Sequence, residues 1–116
     1  MARLFQNLLG MNYIILNGIV KGTESVMQGK RLPDGDTPRE MGDYCKAMNQ
    51  DGSLSDYWHL FLPNGQRGFI SGERHKITEH EDGTITVQPS ILHHGLKDKP
   101  ETQWHGFLEK GIWRTC

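Results

Sequence analysis

A chain of 116 residues is expected to form one domain (residues 1–116), with room for a modest core that needs no disulfide or metal staple. Fourteen glycines, five prolines and only 35 % apolar residues favour short strands and many turns over long helices. The net charge is −1, with Lys and Arg scattered among acids, which argues against nucleic acid as partner because a phosphate binder needs a basic stripe.

In chain order, the first apolar run is Met11-Asn12-Tyr13-Ile14-Ile15-Leu16. It is too short to span a bilayer and lacks the layout of a signal peptide, so the expectation is a cytoplasmic protein with no membrane partner. Both Met1 and Met11 are compatible with a start. Asn17-Gly18 is a favourable type I′ turn pair, which predicts a hairpin of residues 13–16 with 19–22. Leu32-Pro33-Asp34-Gly35-Asp36 reads as a loop. A helix is predicted over 38–49, with Thr37 as cap, Pro38 at the first helical position and Glu40 completing a capping box. Its face of Met41, Tyr44, Cys45 and Met48 would be core. The two cysteines, Cys45 and Cys116, have no Cys-x-x-Cys partner and do not make a disulfide framework.

Residues 57–116 read as an antiparallel β module, preceded in 1–56 by a strand or hairpin, the loop and the helix. The strand 57–62 turns Trp58, Leu60 and Leu62 to one face and Tyr57, His59 and Phe61 to the other; both faces are apolar, so it is central. Two hairpins follow, and register is decided by which pairing gathers the apolar residues on one side. A three-residue Glu81-Asp82-Gly83 loop pairs Ile77 with Val87 and Glu79 with Ile85, leaving His75 at the border of the core. For the last hairpin a Lys-Gly turn would force Lys110 left-handed, so a three-residue loop is preferred again. That register pairs Leu108 with Ile112, Phe107 with Trp113, and Trp104 with Cys116. The loop 93–103 is polar and expected to be mobile. The fold class is α+β: a small, mainly antiparallel β domain, a meander or partly open barrel, with one short helix.

Six histidines are the most suggestive chemical feature. Zinc takes three or four converging His, Cys or carboxylate ligands. His75 and His80 are five apart and diverge on a strand, as do the adjacent His93 and His94. What is left is His75, one of His93 or His94, His105, and His59 or Cys116; hydrogen-bonded or surface histidines are the plain alternative. Ser90, Ser71 and Cys116 are the possible nucleophiles, but nothing resembles a nucleophile elbow. Gly65-Gln66-Arg67-Gly68 does not match a phosphate-cradling loop. No catalytic constellation emerges, and the expectation is a protein that is not an enzyme.

The run Asp82-Gly83-Thr84-Ile85-Thr86-Val87-Gln88-Pro89-Ser90-Ile91, followed by Trp104-His105-Gly106-Phe107-Leu108 and Gly111-Ile112-Trp113, resembles a family of domains of unknown function frequent in phages and prophages. The resemblance covers the last half of the chain. It implies a small accessory protein that binds another protein, such as a host defence or replication component, in the host cytoplasm, with the tryptophan-rich hairpin as a candidate interface. Some members carry a cysteine cluster ahead of the Pro-Ser-Ile segment, which implies zinc. Here Leu62-Pro63-Asn64-Gly65-Gln66 stands in that place, so a zinc site is either lost or rebuilt from histidines, with His75 and His105 as ligands. A structural zinc domain is thus the second expectation and a metal-assisted hydrolase the third.

Overall fold

The computed structural model describes residues 25–116 and, within 3–6, 11–16 and 19–24, the strand backbone. The strands are β1 (Arg3–Gln6), β2 (Met11–Leu16), β3 (Ile19–Gln28), β4 (Lys30–Arg31), β5 (Asp43–Met48), β6 (Leu54–Phe61), β7 (Arg67–Ser71), β8 (Lys76–Glu79), β9 (Ile85–His93), β10 (Trp104–Glu109) and β11 (Ile112–Thr115). One sheet has the order β1-β2-β3-β11-β10-β9-β8 and is antiparallel; the other has the order β4-β5-β6-β7, with β4 and β5 parallel. The domain is therefore mostly antiparallel β, as expected. The hairpin foreseen near the start is present as β2 paired with β3, Leu16 opposite Ile19; its Asn17-Gly18 turn lies outside the described residues.

The core is a single cluster drawn from the facing sides of both sheets. The smaller sheet contributes Tyr44, Trp58, Leu60 and Ile70, and the larger sheet Ile85, Val87, Ile91, Trp104, Leu108 and Trp113. Alternation explains the choice: in β6, Trp58 and Leu60 point in while Tyr57 and His59 point out, and β6 is central between β5 and β7 as its sequence predicts. Trp104 and Trp113 meet edge to face at 5.5 Å, and the Trp113 indole N–H donates to the Gly42 carbonyl at 2.8 Å, tying the sheets together. At one margin Glu79 accepts from Arg31 (3.1 Å) and Lys46 (2.9 Å) of the smaller sheet, and both cations lie over the Trp58 ring. The Lys46 hydrogen bond, more than that of Arg31, holds the Glu79 carboxyl below its ordinary range.

The helix expected over 38–49 does not form; residues 43–48 are β5, and the sole helical piece among the described residues is a 3-10 turn at Pro100–Thr102. Where Thr37 and Glu40 were expected to start a helix, two aspartates close a turn instead. The Asp36 carboxylate accepts the Thr37 N–H, and the Asp43 carboxylate accepts those of Arg39 and Glu40. Gly42, with φ of 96°, then redirects the chain into the strand. Tyr44 faces the core, whereas Cys45 faces the other way and is buried under the 36–40 segment, its thiol donating to the Asp36 carbonyl. Helical spacing had grouped Met41 and Met48 with them; both are exposed.

The two late hairpins differ in turn length. In β8–β9 the expected register holds: Ile77 pairs with Val87 and Glu79 with Ile85 around a three-residue loop with Gly83 at φ of 86°. In β10–β11 the expected register is off by one. Leu108 pairs with Trp113 and Glu109 with Ile112, across a two-residue turn in which Lys110 and Gly111 both have positive φ. Lys110 tolerates that conformation because its N–H is taken by Thr86 Oγ1 and the Gly111 N–H by the Ile85 carbonyl. The gain is a face on which Leu108 and Trp113 are buried together. The loop expected to be mobile is pinned at its centre: buried Thr102 accepts the Leu96 N–H and donates to the Lys99 carbonyl.

Candidate docking groove and the histidines around Ser90

The Pro89-Ser90-Ile91 and Trp104-His105-Gly106-Phe107 segments lie side by side on β9 and β10, with Gly106 opposite Ile91 and His105 opposite Leu92. Ile91, Trp104 and Gly106 belong to the inner face. Gly106 has to be glycine because a Cβ there would lie 2.6 Å from the Trp104 indole. The intervening residues point outward. Between Gly106 and Leu108 the pairing jumps from Ile91 to Val87, so Gln88, Pro89 and Ser90 bulge opposite Phe107.

Both histidines singled out from the sequence reach the same serine. His75 Nε2 donates to the Ser90 carbonyl at 3.2 Å, and His105 Nε2 is 2.8 Å from Ser90 Oγ. The residues therefore converge, but on different atoms of Ser90. Structural zinc takes four donors, and among the described residues no group of three or more His, Cys, Asp or Glu is placed to hold a metal ion. The Ser90–His105 contact has the reach of a nucleophile and its base, yet no carboxylate among the described residues orients the imidazole, and the pair is open to water. The register of β10–β11 also sets Cys116, not Trp104's partner as expected, against His105: the Cys116 N–H donates to the His105 carbonyl.

The other histidines are dispersed. His80 hydrogen-bonds Thr86 Oγ1 at 2.6 Å, next to the Lys110 turn. His93 lies opposite Trp104, and His94 is exposed. His59 is on the outer side of the smaller sheet, stacked on Phe69 at 4.5 Å; partial burial and then the Arg67 charge lower its pKa. Burial pushes the Cys45 thiol pKa up.

The outer face of β8–β11 carries an open groove of about 1030 Å³. Pro89, Phe107 and Ile112 form its apolar floor, and Arg74, Lys76 and Lys110 its basic margin. The Arg114 guanidinium lies 5.0 Å from the Phe107 ring centroid and is ion-paired with Glu109 at 2.7 Å. From the sequence, Pro89, Phe107 and Ile112 stood out within the motif segments and Lys110 in the last turn, but they were not grouped as one surface. The expected register paired Phe107 with Trp113; inward alternation of Trp104, Gly106 and Leu108 was the signal that puts Phe107 outside.

Compared with family models, with curated proteins and with solved structures, the chain matches none. Among the described residues no helix is long and apolar enough to cross a membrane.

Proposed function

We propose that this chain is a protein-binding module of the small phage- or prophage-type accessory kind, and that the outer face of β8–β11 is where its partner docks. The observation that carries the reading is the division of the two motif segments. Their inward residues build the core, while Pro89 and Phe107 leave it to line one groove with Ile112, which is 40 % exposed. An apolar floor with a polar margin is the anatomy of a binding patch. The interface is thus the reverse of the face first suspected: Trp104 and Trp113 are core, and Phe107 and Ile112 are the anchors.

A photo-crosslinking residue at position 112, compared with one at position 54 on the smaller sheet, outside the groove lining, tests this in cells that express the chain. The expected result is a discrete crosslinked species from position 112 that disappears in a Phe107→Ser background. Equal crosslinking from both positions, or a species indifferent to Phe107→Ser, contradicts it.

A further inference from the structure

We infer that the groove on the outer face of β8–β11 receives an extended peptide segment bearing carboxylates on either side of an apolar side chain. This rests on the docking-face reading above and adds the chemistry of the occupant. Arg74, Lys76 and Lys110 are all exposed, and none has an ion-pair partner among the described residues. The one carboxylate lining the groove, Glu109, is already neutralised by Arg114. The surface therefore offers positive charge at its margins with no internal counterion, and complementary potential is what selects and orients a partner.

Geometry sets the size of the occupant. From β8 to β11 the groove crosses three inter-strand steps, a span of about 14 Å at ordinary sheet spacing, which about four to five extended residues cover. Lys76 stands on β8 at one side and Lys110 in the β10–β11 turn at the other, with the floor between them. A central apolar side chain resting on Phe107 and Ile112 leaves its neighbours to meet the two lysines.

Single-stranded nucleic acid fits less well. Glu109 faces the groove, and three cations make a poor phosphate track.

Rhodamine-labelled peptides of sequence Glu-Asp-Leu-Asp-Glu, Glu-Asp-Ser-Asp-Glu and Lys-Lys-Leu-Lys-Lys, and a labelled oligothymidine, would be titrated by fluorescence anisotropy. The proteins are wild type, Phe107→Ser, and the double variant Lys76→Glu/Lys110→Glu, whose changes are at exposed sites; melting curves confirm folding. The expected result is saturable binding of the acidic leucine peptide at least about tenfold tighter than any other probe. A further loss of about tenfold or more is expected in the charge-reversed variant and in Phe107→Ser. Equal or tighter binding of the basic peptide or the oligothymidine, or of the acidic peptide by the charge-reversed variant, overturns the inference. If charge reversal leaves the crosslink from position 112 intact while Phe107→Ser removes it, the docking face stands and the acidic occupant falls. If the acidic peptide binds but ignores Phe107→Ser, the groove itself is wrong.

Discussion

The two faces of the β10–β11 hairpin show how one stretch of sequence meets two demands. On the inner face Leu108 and Trp113 are fully buried, Trp113 is hydrogen-bonded to Gly42, and Trp104 packs against its ring. On the outer face Phe107 and Ile112 sit in a groove, and the nearby charges are divided between a closed Glu109–Arg114 pair and cations that have no ion pair among the described residues. The inner face is over-determined by packing. The outer face is organised without being filled, and under the proposed reading stability belongs to the first side and recognition to the second.

Trp113→Ala should have the largest effect. It removes a fully buried indole and a hydrogen bond between the sheets, at a cost of about 3–5 kcal/mol, a large share of a small domain's stability. Chemical denaturation would measure it; a loss below about 1 kcal/mol would break the division of faces. Gly111→Ala comes next, because the residue has φ of 75° and a Cβ would lie 2.9 Å from Thr84 Cγ2. Left-handed backbone alone costs about 1–2 kcal/mol for a residue with a Cβ, and the contact adds to it.

Lys110→Asn should act in opposite directions on the two sides. Asn-Gly is the preferred type I′ pair, so the melting temperature should rise, by a gain of up to about 1 kcal/mol, while affinity for an acidic peptide falls. No gain in stability would favour the three-residue loop over the observed turn.

The smallest effect is expected at the margin between the sheets. Glu79 is held ionised by Lys46 and Arg31, so its folded pKa lies below the unfolded one. Its contribution is present above the ordinary glutamate range and is lost as pH falls through the folded pKa. Because Glu79 is substantially exposed, Glu79→Gln should cost about 1 kcal/mol or less, and only at the higher pH. Denaturation of both proteins at pH 7 and at pH 3 checks this; a gap that widens on acidification would contradict it.

Much of the β module was legible because alternation and burial act along single strands. Trp58 and Leu60 inward, Ile77 opposite Val87, and the Gly83 loop all follow from local pattern. The helix was misread because its signals, a Thr37-Pro38-Arg39-Glu40 start and apolar residues three and four apart, are also compatible with a turn capped by Asp36 and Asp43 that leads into a strand. What decided between them was tertiary: Tyr44 and Cys45 are buried on opposite sides of β5 by different neighbours. The last hairpin failed for a similar reason. The penalty for a left-handed Lys110 is local, but the Thr86 hydroxyl and the Ile85 carbonyl that offset it come from β9. His75 and His105, expected as zinc ligands, each contact Ser90 through a different atom, and the groove beside them depends on a bulge at Pro89 and a turn length that neither segment reveals alone.

The most direct test is an amide NMR titration of the 15N-labelled chain with the Glu-Asp-Leu-Asp-Glu peptide. The predicted result is saturable shift changes at Lys76, Gln88, Phe107, Lys110 and Ile112, with Tyr57, His59 and Phe69 on the smaller sheet unmoved. Shifts concentrated on Tyr57, His59 and Phe69, or no saturable change on the outer face of β8–β11, would contradict it.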